Sequence, residues 1–310
     1  MSSLGERVLK GDRSAISRAI TVVENGGAER AEILREVYPH TGSAFVVGIT
    51  GPLGTGKSSL VDLLVQKYRE KGRRVGVLAV DPTSPVTGGA ILGDRVRMLE
   101  HSLDKDVYIR SMASRGAEGG LSRVTRNAAR ILDAGGFDII FVETVGTGQT
   151  ELEIMQVADV VVVVLMPELG DEVQAAKAGL MEIGDIFAIN KSDLPGADKV
   201  LYNMSSFLST TGDGWHQIAV KVSAKTPQGV EDLVGEIEKF REAKKSSNVP
   251  RKRNILADEL LEAVIQGVSD DLSKRLLRDK EFHALVDRLV KMELDPDAAA
   301  EELMKKYSFQ

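Results

Sequence analysis

The sequence predicts an α/β fold in which a mostly parallel central sheet is covered by helices on both faces. Six short runs rich in β-branched residues are typical of strands: 45–50, 75–80, 138–143, 160–165, 185–190 and 218–222. Stretches with helical spacing lie among them: 58–71, 120–134, 171–183 and 228–240. Because these strands are apolar almost throughout and alternate with helices, both faces of the sheet are expected to be buried.

The α/β domain is expected to span residues 44–243, with helical extensions on either side. Residues 1–43 contain Ile16, Ile20 and Val23 at helical spacing, and residues 244–310 contain Leu260, Val264 and Val268 at the same spacing. A last helix is predicted to begin at Asp295-Pro296, with the aspartate as its cap and the proline in its first turn.

Composition excludes several classes of function. The chain of 310 residues has 40 Lys and Arg against 46 Asp and Glu, a formal charge of −6, which gives no reason to expect nucleic-acid or membrane binding. With no cysteine, disulfides and thiolate metal sites are excluded, and a cytoplasmic location is expected. The N-terminus lacks the apolar core of a signal peptide, and no apolar run approaches the roughly 20 residues of a membrane helix.

A phosphate-binding loop follows the first predicted strand. The pattern G-x-x-x-x-G-K-S is matched at every fixed position by Gly51-Pro52-Leu53-Gly54-Thr55-Gly56-Lys57-Ser58, with Ser59 next. It joins a strand to an amphipathic helix, which is the context the pattern requires. The backbone amides would cradle phosphates, Lys57 would reach the β- and γ-phosphates, and Ser58 would coordinate magnesium. The sequence therefore predicts the P-loop NTPase fold.

Two further motifs favour guanine over adenine. Asn190-Lys191-Ser192-Asp193 ends the strand 185–190, and Ser223-Ala224-Lys225 follows the strand 218–222. Guanine presents two adjacent donors, which an acceptor-only carboxylate such as Asp193 can accept together, whereas adenine presents an unprotonated ring nitrogen there. Lys191 can lie over the base, Asn190 can brace the loop, and the loop 223–225 can offer a backbone amide to the guanine oxygen.

Strand-end carboxylates supply candidates for a magnesium shell. Asp81 and Glu143 close two strands beside the phosphate loop, and Asp94 is a further candidate. Asp81 could instead cap the next turn, and Asp94 could be a solvated loop charge. The Gly146 amide would contact the γ-phosphate. Because no residue stands out as the group that positions water, we expect a low intrinsic rate and stimulation by a partner.

With these motifs in place, the chain resembles one family over nearly its whole length: the MeaB, ArgK and methylmalonic aciduria type A GTPases, also described as LAO/AO transport ATPases. The similarity includes the segments 17–21, 79–84, 88–94 and 142–146, together with Leu294-Asp295-Pro296. Glu143 stands where Ras-like GTPases have aspartate, which makes the resemblance specific.

The resemblance implies a chaperone whose GTP hydrolysis gates adenosylcobalamin delivery to an acyl-CoA mutase and protects that mutase. It implies a homodimer held by the C-terminal helices and magnesium-shell roles for Asp81, Asp94 and Glu143. Asp171, Gln174 and Lys177 match a segment that relays the nucleotide state to the mutase in the family, and they equally suit the first turns of a helix. The sequence departs from the family at Glu168-Leu169 and at Thr147.

Other functions stay open at this point. A metallocentre-assembly GTPase has a similar fold but usually carries Cys or His clusters; this chain has no cysteine, and its four histidines lie far apart. A kinase for lysine, arginine and ornithine transport would need a phosphate acceptor in another protein. A regulatory GTPase that acts without a mutase is the remaining alternative.

Overall fold

The protein is described by a computed structural model that covers residues 2–81, 101, 103–113, 120–144, 153–167, 179–211, 214–244 and 249–307. The chain divides into two compact units, residues 1–251 and residues 252–310. In the described residues, all strands of the sheet belong to the first unit, and the second unit is helical.

The described residues form a seven-stranded sheet in the order β3-β2-β4-β1-β5-β6-β7. All of its neighbouring strands are parallel. The strands are β1 Phe45–Thr50, β2 Val75–Asp81, β3 Val107–Ala113, β4 Ile139–Thr144, β5 Val160–Leu165, β6 Ile186–Ile189 and β7 Ile218–Lys221. The prediction of a parallel sheet from near-continuous apolar runs is therefore confirmed, and six of these strands correspond to predicted ones.

The sequence did not indicate β3, and its position in the sheet explains why. It lies at the edge and pairs only with β2 among the described strands. An edge strand does not need apolar residues on both faces, so polar residues interrupt its pattern. One of them, Arg110, forms an ion pair with Glu24 and donates a hydrogen bond to the Thr21 hydroxyl.

In the unit of residues 1–251, helices flank the sheet and several of them connect its strands. The helices with assigned bounds in the described ranges of both units are α1 Leu4–Leu9, α2 Arg13–Asn25, α3 Ala28–Val37, α4 Lys57–Glu70, α5 Gly120–Ala134, α6 Ala197–Ser205, α7 Val230–Lys244, α8 Val249–Leu276, α9 Lys280–Val290 and α10 Pro296–Tyr307. The predicted helices 58–71, 120–134 and 228–240 correspond to α4, α5 and α7. Of the predicted helix 171–183, residues 179–183 are helical and the rest lies outside the described residues.

Both faces of the sheet are buried, as a parallel sheet requires. In β4, Ile139 and Phe141 belong to one apolar cluster, and Ile140 and Val142 belong to another. This alternation follows from the period of two along a strand. The first cluster includes core residues of α4 and α7, and the second includes core residues of α2 and α5. The first unit is thus a three-layer α/β sandwich.

The N-terminal helices are part of this sandwich. In α2, Ile16, Ala19 and Ile20 are at most 1% exposed, and they belong to the same apolar cluster as α5 and the sheet. Asp12 caps α2 by accepting hydrogen bonds from two backbone amides of its first turn. The Arg13 guanidinium donates to the Val107 carbonyl at 2.8 Å. This contact covers part of the exposed edge of β3.

A single tryptophan lies on the β6–β7 side of the sheet. The Trp215 indole N–H donates to the Asp185 carbonyl at 3.0 Å, just before β6. Its ring meets Phe240 of α7 edge-on, with 4.8 Å between the ring centroids. The loop before β7 is therefore attached both to the sheet and to the helical layer.

The second unit contains the predicted last helix with the predicted cap. The Asp295 carboxylate accepts hydrogen bonds from the Asp297 and Ala298 amides at 3.0 and 3.1 Å. The predicted apolar positions Leu260, Val264 and Val268 lie on α8, where they are 66%, 54% and 45% exposed. No helix in the described part of the chain is long and apolar enough to cross a membrane.

The packing of α4 against the sheet generates a stability prediction. Leu64 is fully buried in the apolar cluster beneath α4, so Leu64→Ala should lower the free energy of unfolding by about 2–5 kcal/mol. Leu103 is 96% exposed, so Leu103→Ala should change it by no more than about 0.5 kcal/mol. Urea unfolding followed by tryptophan fluorescence measures both. Equal losses in the two variants would contradict this description of the core.

Candidate nucleotide-binding site

The predicted nucleotide-binding residues lie at one edge of the sheet. Because the strands are parallel, their carboxyl ends share that edge, where ligands bind in open α/β sheets. β1 lies between β4 and β5 in the sheet, and the phosphate loop, residues 51–56, connects its end to α4. The loops that carry Asn190-Lys191-Ser192-Asp193 and Ser223-Ala224-Lys225 follow β6 and β7.

Two glycines of the phosphate loop have no room for a side chain. Gly51 has a φ of 132°, and a Cβ added there would lie 2.2 Å from the Val164 carbonyl oxygen of β5. Gly56 has a φ of 87° and precedes the first residue of α4, and its Cβ would lie 2.5 Å from the Asn190 side-chain nitrogen. Glycine therefore lets the loop pass close to β5 and to the loop after β6.

Lys57 begins α4, and its ammonium group turns back over the phosphate loop. Its Nζ donates to the Gly51 carbonyl at 2.7 Å and to the Pro52 carbonyl at 3.0 Å. The residue is 5% exposed. The Thr55 hydroxyl donates to the same Pro52 carbonyl at 2.9 Å. These contacts hold a positive charge inside the curve of the loop, where a phosphate oxygen could replace a carbonyl as the acceptor.

Ser58 and Glu143 meet beside the phosphate loop. The Ser58 hydroxyl donates to the Glu143 carboxylate at 2.6 Å, and the two residues are 8% and 4% exposed. The sequence separates them by 85 positions. They are brought together because β4, which carries Glu143, pairs directly with β1. The contact places a hydroxyl and a carboxylate oxygen within the reach of one small cation.

These donors have the chemistry that magnesium prefers. A hard cation takes oxygen ligands and usually keeps several waters, with one or two carboxylates and substrate phosphates completing its shell. No group of three or more His, Cys, Asp or Glu that could hold a metal occurs in the described ranges. Among the described side chains, Ser58 and Glu143 are placed to contribute protein ligands, and phosphate oxygens and water would provide others. Asp81, at the end of β2, is one residue beyond Val80, which pairs with Thr144 of β4.

Asn190 joins the phosphate loop to the loop after β7. Its side-chain NH₂ donates to the Thr55 carbonyl at 2.7 Å, and its side-chain oxygen accepts from the Ala224 amide at 3.0 Å. The residue is 1% exposed. The geometry agrees with the expected bracing role of Asn190. The hydrogen of the Ala224 amide is therefore already used within the chain. A guanine oxygen would share it with Asn190 or accept from another amide of the loop 223–225.

Asp193 is oriented by Ser223. The Ser223 hydroxyl donates to the Asp193 carboxylate at 2.6 Å. This hydrogen bond lowers the pKa of the Asp193 carboxyl below its usual value, and the nearby charges of Lys225 and Lys191 lower it further. Asp193 is therefore ionised and acceptor-only at neutral pH. The preceding loop residue Lys191 has a φ of 56°, a left-handed conformation that is uncommon outside glycine.

Sequence reasoning did not anticipate two contacts in this site. One is the hydrogen bond between Ser223 and Asp193, which joins two loops 30 residues apart. The other is a buried hydrogen bond from the Thr144 hydroxyl to the Thr50 hydroxyl at 2.9 Å. Ser223 belongs to a predicted motif, and Thr144 directly follows Glu143. A short motif nevertheless contains no information on which side chains meet between neighbouring strands or loops.

Several predicted site residues cannot be placed beside these groups. Asp94, Gly146, Asp171, Gln174 and Lys177 lie outside the described residues. The position of Asp81 in β2 is described for its backbone. The predictions for these residues therefore remain predictions.

The fold and the site together define a class of protein. They have the features of a P-loop nucleotide-binding protein. These are a parallel sheet, a glycine-rich loop that leads into a helix, a lysine turned over that loop, and a hydroxyl group next to the lysine. The chain belongs to the MeaB family: the sequence profile described as "Methylmalonyl Co-A mutase-associated GTPase MeaB" matches residues 16–281. The resemblance found in the motifs is thereby confirmed.

Individual proteins are also similar to this chain over most of its length. A Pyrococcus abyssi protein that carries the general name of GTPase is 45% identical over 312 residues, covering 99% of this chain and 96% of its own length. The mouse protein named methylmalonic aciduria type A homolog, mitochondrial, is 33% identical over 254 residues, or 76% of this chain and 61% of its own. A solved structure titled as an LAO/AO transport system kinase has a TM-score of 0.68 at 22% identity and covers 98% of this chain and 96% of its own. At that identity it supports the fold alone.

The contact between Ser223 and Asp193 generates a prediction about pKa. Ser223→Ala should raise the pKa of the Asp193 carboxyl toward its ordinary value, because it removes the largest cause of the lowering. Lys225→Ala should raise it less. Carbon-13 NMR titration of the aspartate carboxyls measures the difference. A pKa that stays unchanged in Ser223→Ala would show that the hydroxyl does not hold the carboxylate in solution.

The sign of the shift also fixes a dependence on pH. Since the folded pKa lies below the unfolded one, the stabilisation is fully present above the unfolded pKa and is lost as the pH falls through the folded pKa. The stability difference between wild type and Ser223→Ala should therefore shrink on acidification, which unfolding measured across that range would test.

Proposed function

We propose that this protein is a magnesium-dependent GTP hydrolase that gates delivery of adenosylcobalamin to an acyl-CoA mutase, such as methylmalonyl-CoA mutase, and protects that mutase. The main support for GTP binding and hydrolysis is the arrangement of two groups of side chains at one edge of the sheet. Lys57, Ser58 and Glu143 lie on one side of Asn190, and the pair of Asp193 and Ser223 lies on the other. The mutase part is supported by the family to which the chain belongs.

The phosphate end would act mainly by positioning and by neutralising charge. Phosphoryl transfer needs little covalent chemistry from the protein, because its transition state is stabilised by groups placed around the phosphate oxygens. Residues 51–56 and Ser59 would surround the phosphates with backbone amides, and Lys57 would contact the β- and γ-phosphates. Bound magnesium would supply positive charge that offsets the charge of the phosphates. Ser58 and Glu143, with Asp81 and Asp94, would hold it, and the Gly146 amide would contact the γ-phosphate.

The base end would select guanine through the charge of Asp193. An ionised carboxylate can accept from both the ring N–H and the exocyclic amino group of guanine. Adenine would place a lone pair against it, and a site built on such a pair rejects the wrong base strongly. The low pKa of Asp193 favours this, since a protonated carboxyl would offer a donor in place of one acceptor. Lys191 would lie over the base, and a backbone amide of the loop 223–225 would reach the guanine oxygen.

A low intrinsic rate and a protein partner belong to the same proposal. No water-positioning side chain is evident from the sequence, so a partner that orders the γ-phosphate site would increase the rate. Asp171, Gln174 and Lys177 are proposed to relay the nucleotide state to the mutase. The exposed apolar residues of α8, Leu260 and Val264 among them, support a homodimer held by the C-terminal helices.

Nucleotide selectivity provides the first test. In Asp193→Ala, GDP affinity should fall by about 100-fold or more, because two hydrogen bonds to a charged group, each about 1.5–3 kcal/mol, are lost. ADP affinity should stay weak. Asp198→Ala is the matched control, since the Asp198 side chain is 87% exposed and pairs with Lys221. Calorimetric titration with each nucleotide and magnesium measures all three proteins, and equal GDP and ADP binding by the wild type would rule out the guanine assignment.

The partner provides the second test. Purified methylmalonyl-CoA mutase should co-elute with the wild type in size-exclusion chromatography and should increase its GTP hydrolysis severalfold. Lys57→Ala should abolish the hydrolysis because it removes the cation from the phosphates. A mutase that neither co-elutes nor changes the rate would contradict the chaperone function and leave the nucleotide assignment standing.

A further inference from the structure

The end of β4 holds both flanks of the phosphate loop. Glu143 accepts from Ser58, just after the loop, and Thr144 donates to Thr50, just before it. Because successive side chains of a strand point to opposite faces, these two contacts approach the loop from different sides of the sheet. Two adjacent residues of one strand thus fix the start and the end of the loop.

The contact between the two threonines follows from the register of the sheet. Ile49 of β1 pairs with Glu143 of β4, so the next residues, Thr50 and Thr144, lie side by side. Their hydroxyl oxygens are 2.9 Å apart, and the residues are 0% and 3% exposed.

Core packing alone does not explain two hydroxyl groups at this place. Burying a hydroxyl costs desolvation energy that its hydrogen bond does little more than offset, and two apolar groups of the same shape can be equally stable. The positions paired with the two threonines on their outer sides are valines: Val163 of β5 beside Thr50, and Val80 of β2 beside Thr144. The hydrogen bond also constrains the geometry of the two strand ends. Because it requires a particular distance and angle, it restricts how the end of β4 can slide or rotate against β1.

We propose that Thr144 is a positioning residue for GTP hydrolysis, which through its hydrogen bond to Thr50 holds Glu143 against Ser58. Rotation or sliding at the end of β4 would move the Glu143 carboxylate away from Ser58, with which it would hold magnesium. The base side of the site would be unaffected, because Asn190, Asp193 and Ser223 follow β6 and β7, on the other side of β1 in the sheet. The proposal rests on the GTP hydrolysis proposed above.

Four variants test this role: Thr144→Val, Thr144→Ser, Thr50→Val and the double variant Thr50→Val/Thr144→Val. Each valine variant should lower kcat for GTP by about tenfold or more, since a small misplacement of a catalytic group can cost up to about 100-fold. The affinity for GDP measured without magnesium should change less than about twofold, because binding of the base and of Lys57 does not use the contact. At saturating magnesium, KM for GTP should change much less than kcat. Thr144→Ser, which keeps the hydroxyl, should retain most of the wild-type kcat.

The double variant separates positioning from stability. Each single valine leaves one buried hydroxyl without its partner, whereas the double variant removes both, so its melting temperature should exceed that of the single variants. Its kcat should nevertheless stay as low as theirs. A kcat that recovers together with the melting temperature, or a Thr144→Ser variant as slow as Thr144→Val, would overturn the positioning role.

A magnesium titration of the GDP complex keeps this test independent of hydrolysis. Thr144→Val should raise the magnesium concentration needed for half-maximal tightening of GDP binding severalfold, and Thr144→Ser should not. A wild type that binds GDP but does not hydrolyse GTP would contradict the proposed function, while the shift in the titration would still support the placement of Glu143 by Thr144. Identical titrations for wild type and Thr144→Val would contradict that placement.

Discussion

The site is organised around one buried side chain. Asn190 donates to the Thr55 carbonyl of the phosphate loop and accepts from the Ala224 amide of the loop after β7. In the proposed binding mode, one loop would contact the phosphates of a nucleotide and the other its base. Because Asn190 bonds to both loops, it would set the distance between these two parts of the site. Gly56 lets this happen, because any side chain there would collide with the Asn190 amide.

The parallel sheet places charges in a consistent order along its carboxyl edge. The Lys57 ammonium lies over the start of the phosphate loop, the Glu143 carboxylate lies beside it, and Asp193 lies where the base is expected. Each charge has polar neighbours already in place: carbonyls for Lys57, and a serine hydroxyl for each carboxylate. Such preorganisation reduces the rearrangement that ligand binding would require.

The sequence predicted the parts of this fold that depend on local pattern. The strand before Gly51 and the helix after it could be found because the glycines, Lys57 and Ser58 stand at fixed spacing, and the buried strands because they are uniformly apolar. β3 was missed because Arg110 interrupts its pattern, and the reason for that arginine, an ion pair with Glu24, depends on tertiary structure. The contact of Thr144 with Thr50 depends on the register between two strands, which no short motif specifies.

The position of Trp215 has a practical consequence. As the chain has one tryptophan, its fluorescence reports only on the unit of residues 1–251, where the indole contacts Phe240 and the Asp185 carbonyl. Far-ultraviolet circular dichroism, by contrast, also records the helices of residues 252–310. Comparing the two optical transitions in one denaturant series would reveal, without any label, whether the C-terminal helices melt together with the sheet or as a separate cooperative body.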